Sequence, residues 1–164
     1  MQDARTLKAW RCSYGGYDDI VHAATASKAR YMRWLSLVDC CPDIKFAEIA
    51  VHRARAHDIT LPDEHPLVAK LSHEQRHRIL HAYGYNNRPN RPQDWGYRDH
   101  YCSAPGDTIM SSMAELGLFR GPYGQGSDIW GGSVFWYLTE LGVHVARSMI
   151  PTPAQRAIQT REAV

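Results

Sequence analysis

The chain has 164 residues, enough for one ordinary domain or two small ones, and at this size folding buries roughly 68–70% of the unfolded chain's surface. Hydrophobic residues make up 44% and charged residues 22%, which excludes disorder as the overall state. Nineteen Lys+Arg against 17 Asp+Glu leave a net charge of +2, too little to announce a general polyanion binder. No apolar run approaches the roughly 18–20 residues of a membrane span, and the opening Met-Gln-Asp-Ala-Arg lacks a signal peptide's apolar core. A cytoplasmic, non-membrane protein is therefore expected. The four cysteines, Cys12, Cys40, Cys41 and Cys102, form no CxxC pair and read as reduced thiols.

The first elements predict a β-β-α-β unit over residues 1–56. Residues 6–14 (TLKAWRCSY) alternate as a strand does, with Leu7, Trp10, Cys12 and Tyr14 facing inward, and Gly15-Gly16 breaks it. A second strand is expected at 19–24. Thr25 and Ser27 offer caps for a helix over about 27–39, whose apolar side is Ala29, Met32, Leu35 and Val38, widened by Tyr31, Trp34 and Leu37. Lys28, Arg30 and Arg33 fall on its other side. Pro42 ends the helix, and 44–53 (IKFAEIAVHR) reads as a third strand with a bulge near Glu48.

Residues 57–65 read as a linker, and the wider stretch to Leu71 holds Pro62 and Pro66. Ser72 and Gln75 fit a capping box for a second helix with Ile79, Leu80 and Tyr83 inward, and Gly84 fits its end. Residues 85–106 contain three prolines and Gly96 and read as a long loop, with one extended piece at 97–102. Asp107 caps a third helix to about Leu116, with Ile109, Met110 and Met113 inward. A strand starts at 118–120, Gly121–Gly132 forms a hairpin tip, and Val134–Leu138 returns. Thr139 caps a fourth helix over 140–150, and Pro151 and Pro153 open a flexible tail over 151–164.

This order is distinctive: a helix ending in Leu116-Gly117-Leu118, a strand, a glycine-rich tip, a strand, then Leu138-Thr139-Glu140-Leu141-Gly142 opening a helix. Met113–Leu118 and Tyr137–Gly142 resemble the paired motifs of the winged-helix superfamily, with the likeness covering residues 68–150. The same stretch, with LSHEQRHRILHAYG and YRDHYC, and the N-terminal WRCSYGGYDDIVHAATASKARYMRW also resemble small uncharacterised proteins of tailed phages and prophages. The resemblance implies an α+β protein in which residues 66–150 are a winged-helix-like domain, and a phage accessory or regulatory role in the host cytoplasm.

Two functions compete, and neither is enzymatic nor needs a cofactor. The first is binding of double-stranded DNA, as in transcription regulation. Between Lys70 and Arg98 six basic residues face only Glu74 and Asp94. Arg88, Arg91 and Arg98 are the candidate phosphate contacts, with Arg120 and Gln125 on the wing. Thr108, Ser111 and Ser112 would reach base edges from the third helix. Against this, Asp107 and Glu115 make that helix acidic, and residues 85–106 supply no helix before it. The second function is binding of a protein, for example as an inhibitor of a host defence complex. Trp95, Tyr97, Tyr123 and Trp130 are its candidate anchors. Homodimerisation through the fourth helix or the tail stays open.

His73-Glu74-Gln75-Arg76-His77 matches HExxH, which in zinc hydrolases places two His one helical turn apart with Glu as general base. The match sits in the first turn beside a cap, and Leu80 and Tyr83 stand where the extended pattern needs Gly and His. The expectation is a helix surface, with no bound metal.

Overall fold

A computed structural model describes residues 5–89, 91–124 and 132–152. The chain is an α+β protein that divides into two units, residues 1–61 with 151–164, and residues 62–150.

In the first unit a three-stranded antiparallel sheet, ordered β3-β2-β4, is built from β2 (Ala9–Tyr14), β3 (Tyr17–His22) and β4 (Ala50–Arg53). Gly15 and Gly16 join β2 to β3 with φ +58° and +82°, and Tyr14 pairs with Tyr17 across them. Two consecutive positive φ values match the twist of a tight hairpin, and glycine adopts them without strain. Helix α1 (Ala26–Leu37) follows, its first turn closed by the Lys28 N–H donating to Thr25 Oγ1 at 3.2 Å. Cys12, Val21, Ala23, Ala29, Ile44 and Ile49 form the core, with Trp10, Met32, Trp34 and Leu37 packed around it.

Three expectations change here. The first concerns the polar side of α1. Ala29, Met32 and Arg33 share one helical side, so Leu35 is 46% exposed while the Arg33 side chain is only 15% exposed and pairs with Asp19 at 3.2 Å. Arg30 is half-buried over the Phe46 ring, which leaves Lys28 as the exposed cation of that group. The second concerns the strand expected over 44–53, which shrinks to β4. Glu48 accepts the Lys45 N–H at 3.3 Å and its own N–H reaches the Lys45 carbonyl, winding Phe46–Glu48 into a 3-10 turn rather than a bulged strand. The third concerns the linker, which carries structure. Ile59–Thr60 (β5) pairs with Thr6–Leu7 (β1), and Leu61 is buried.

In the second unit α2 (His73–Tyr83) carries the expected capping box, Gln75 N–H to Ser72 Oγ at 3.2 Å and Ser72 N–H to Gln75 Oε1 at 2.9 Å, and ends at Gly84 with φ +86°. Among the described residues no α-helix lies between Tyr83 and Thr108. Pro92–Asp94 is a 3-10 turn, and β6 (His100–Ser103) is the extended piece. Helix α3 (Thr108–Glu115) is capped by Asp107, whose Oδ1 accepts from Ile109 and Met110 N–H at 3.0 and 3.1 Å. Strands β7 (Phe119–Tyr123) and β8 (Val134–Leu138) form the hairpin, and β6 pairs on the other side of β8, giving an antiparallel sheet ordered β6-β8-β7. The first wing strand thus runs past Gly121 to Tyr123, with a register shift between Arg120 and Tyr123. Thr139 Oγ1 accepts the Gly142 N–H at 3.0 Å and opens α4 (Glu140–Met149). Ile79, Met110, Met113, Leu118, Val134, Trp136 and Val145 fill the core. Of the expected tail, residues 153–164 lie outside the described residues.

Candidate interaction surface

Side chains alternate across a strand, so the sheet β6-β8-β7 has one face turned to the core and one turned away from it. Val134, Trp136 and Leu138 turn inward, joined by Phe119, and Trp136 Nε1 donates to Ser103 Oγ at 3.1 Å. Phe135 and Tyr137 therefore turn outward. The register sets His100 and Arg120 on either side of Tyr137, and Cys102 and Tyr123 on either side of Phe135.

These side chains touch. The His100 ring lies 5.9 Å from Phe135 and 6.0 Å from Tyr137, Tyr123 packs edge-on to Tyr137 at 5.8 Å, and the Arg120 guanidinium stands 6.0 Å over the Tyr137 ring. Tyr123 is 51% exposed, and Arg120 and Cys102 are exposed. The result is an aromatic patch with one guanidinium and one imidazole at its rim. Its chemistry is that of amphipathic contact: large rigid rings with polar tips, and a planar cation stacked on one of them.

The residues expected to hold DNA do not gather in this way. Arg88 and Arg91 share one carboxylate, with Arg88 Nη1 at 3.0 Å and Arg91 Nε at 2.9 Å from Asp94 Oδ2. Asp94, one of the two acids expected to oppose the basic stretch, is thus spent on both candidate phosphate contacts, because the Pro92–Asp94 turn folds it back onto them. Arg88 also stands 5.2 Å over the Tyr97 ring. Arg98 is half-buried beside Tyr97, and hydrogen bonds from Asn87 and Arg98 hold the Tyr97 phenol below its ordinary pKa. On α3, Ser112 Oγ donates to the Ile109 carbonyl and accepts from Gln75 Nε2 at 3.0 Å, while Ser111 Oγ donates to the Asp107 carbonyl. Both serines are half-buried and committed, so of the three hydroxyls expected to read bases Thr108 is the exposed one. Asp107 pairs with Arg78, and α3 itself carries no Lys or Arg.

The expected protein anchors divide. Tyr97 is 52% exposed and Tyr123 belongs to the sheet patch. Trp95 is half-buried, with Nε1 donating to the Arg88 carbonyl at 2.8 Å and its ring edge-on to Tyr85, so it braces the loop. Gln125 and Trp130 lie outside the described residues.

The HExxH side chains serve the helix surface. Arg78 takes the Glu74 carboxylate at 2.7 Å and lowers its pKa, and Asn86 Nδ2 donates to the His77 carbonyl. Among the described residues no three His, Cys, Asp or Glu side chains come together as a metal would need.

His100, Phe135 and Tyr137 are not among the candidates the sequence offers. Alternation alone sends either Phe135 or Trp136 outward, and the third strand of the sheet, β6, lies more than thirty residues away in the chain. The chain matches no protein-family model, no curated protein and no solved structure.

Proposed function

We propose that this protein is a non-enzymatic binding protein whose second unit contacts a protein partner through the outer face of the sheet β6-β8-β7. The observation that carries the reading is the cluster of Tyr123, Phe135, Tyr137, His100 and Arg120 on one solvent-facing sheet surface. Tyrosine and arginine are the residue types that dominate binding energy at protein interfaces. Duplex DNA asks for several phosphate-facing cations, and among the described residues this face offers Arg120 as its one permanent cation. The resemblance to small phage proteins fits an accessory role of this kind, such as inhibition of a host defence complex.

A second reading keeps one observation. The elements α2, β6, α3 and the hairpin β7-β8, with strand order β6-β8-β7 and Arg120 on the hairpin, are what the winged-helix resemblance of the sequence would use to reach DNA. In that reading the wing and loop hold DNA in a regulatory complex.

The test takes a partner captured by the wild-type protein, identified, and titrated against purified variants. Tyr123→Ala and Arg120→Ala should each weaken its binding by about 30-fold, the effect of about 2 kcal/mol at a hot spot. Electrophoretic shifts with mixed-sequence duplex at two salt concentrations address the second reading. A salt-sensitive shift that Arg120→Ala weakens, together with partner binding that neither variant changes, would replace the first reading by the second.

A further inference from the structure

We infer that the first unit holds a second binding site, unrelated to the sheet face, for a small molecule ending in a phosphate or diphosphate. A cleft of about 680 Å³ opens there, between the start of β2, the end of β4 and the entry to α1. That volume lies within the roughly 300–1,000 Å³ range of small-molecule sites. Its walls include Lys8, Arg53, Arg55 and Asp58, three cations against one anion.

The anion is already spent. Arg53 forks onto Asp58, with Nη1 at 2.7 Å from Oδ1 and Nη2 at 2.5 Å from Oδ2, and Oδ1 also accepts the Ala9 N–H at 2.9 Å. The Arg53 hydrogen bonds hold the Asp58 carboxyl below its ordinary pKa, so it stays ionised and paired. Arg53 is locked in place by a further bond to the Ala9 carbonyl at 2.8 Å and by the Trp10 ring, 5.4 Å from the guanidinium carbon. The neutral Arg53–Asp58 pair forms a rigid wall, so the uncompensated charge of the cleft comes from its other two cations.

Lys8 and Arg55 are different. Neither takes part in an ion pair among the described residues, yet both border the same opening. Two cations with no counter-charge among the described residues, set beside the fixed Arg53–Asp58 pair, favour a ligand carrying two negative charges on one compact group. Thr25 and Ala26, also in the wall, begin α1, whose first turn has no acidic residue, so its partial positive end adds to the same field. A phosphate or diphosphate meets this arrangement better than a carboxylate, which would leave one cation unanswered.

The experiment is calorimetric titration of the full chain with inorganic pyrophosphate and with ADP at low ionic strength, paired with the Trp10 indole N–H signal in a nitrogen-correlated spectrum. That indole donates to Ala23 at 2.9 Å, one residue from the cleft wall, and Trp10→Phe assigns its signal. The expected result is saturable one-to-one binding of both probes, with movement of the Trp10 signal. Lys8→Gln combined with Arg55→Gln should weaken it at least about tenfold. Arg120→Ala, on the other unit, should leave it unchanged. Both glutamine changes fall on side chains without an ion pair among the described residues, and either single variant carries the comparison if the double variant melts lower. Absence of saturable heat, an affinity unaltered in the glutamine variants, or an equal loss with Arg120→Ala would each overturn the inference. So would binding of an oligothymidylate through Lys8 and Arg55 without binding of pyrophosphate or ADP, which would assign the cleft to a nucleic-acid backbone instead.

Discussion

Gly142→Ala tests how the second unit is joined. Gly142 lies in the first turn of α4, where its N–H donates to Thr139 Oγ1 at 3.0 Å. A Cβ there would collide with the Leu118 carbonyl oxygen and stand 2.9 Å from Leu138 Cδ2. The oxygen cannot simply retreat, because it accepts the Thr139 N–H at 3.1 Å and so ties the end of the α3 turn to the start of α4. Replacing a helical glycine by alanine ordinarily gains about 1 kcal/mol. Overpacking a tight contact costs about 1–3 kcal/mol, and contact with backbone puts this case at the upper end. The expected net loss is about 1–2 kcal/mol, and each kcal/mol lowers the melting temperature of a unit this size by about 4–8 °C. Gly117→Ala is the comparison: its φ of +75° is strained for alanine, but its nearest neighbour, Leu141 Cδ2, is 3.8 Å away. It should lose about 1–2 kcal/mol through backbone strain alone, so a Gly117→Ser variant should lose no more. Gly142→Ser, by contrast, should fall well below Gly142→Ala. Urea unfolding followed by circular dichroism reads both series. A Gly142→Ala protein as stable as the wild type would refute the close approach.

Asp107→Ala removes the cap of α3 and leaves the 14% exposed Arg78, which pairs with Asp107 at 2.6 Å, with Glu74 as its remaining carboxylate, so a loss of about 2 kcal/mol is expected in the same assay. Burial, aided by the charges of Arg98, His77 and His100, holds the His81 pKa below its ordinary value. The unfolded imidazole thus takes up its proton first, and the stability from keeping His81 neutral is complete above about pH 6.5 and lost as pH falls below it. Melting temperature should decline from pH 7 towards about pH 5, and His81→Asn should flatten that slope, whereas an identical slope in the variant would remove His81 as its source. Asp58 is depressed chiefly by Arg53, so its contribution holds above about pH 4 and disappears as the pH falls further, a second step that Asp58→Asn should abolish. Burial pushes the Cys12 thiol up to about 11, while Cys40 and Cys102 are exposed. Thiol titration of the native protein should therefore modify Cys40 and Cys102 quickly and spare Cys12 until denaturant is added.

The helix ends were legible because their signals are local. Thr25, Ser72, Asp107 and Thr139 each bond an N–H within three residues, and Gly84 takes the left-handed turn that only the next few residues demand. The strand ends were less so. Residues 44–53 are rich in β-branched and aromatic residues, with an irregularity expected near Glu48, yet the Glu48 side chain closes a full turn on Lys45 that composition does not record. The pairing of Thr6–Leu7 with Ile59–Thr60 is two residues long on each side and depends on contacts more than fifty residues apart. On α1 the apolar stripe is narrower than its sequence spacing suggests: Leu35 is exposed because Arg33, through Asp19, occupies the inner side.

Charge was the most misleading signal, for a physical reason. Counting along the chain gives Lys70–Arg98 a surplus of cations, but folding changes which acids they face. Asp94 answers Arg88 and Arg91 together, and Glu74 with Asp107 answers Arg78. Asp107 lies outside the counted stretch, so the surplus shrinks through a contact the count could not include. The aromatic patch has the opposite history. Arg120, Tyr123, Phe135, Tyr137 and His100 come from three strands, each with an ordinary sequence, and only the order β6-β8-β7 makes them neighbours. Lys8 and Arg55 are likewise separated by most of the first unit, yet they border one cleft. In each case a cation's partners in space, rather than its neighbours in sequence, decide whether it is spent within the fold or left to meet a ligand.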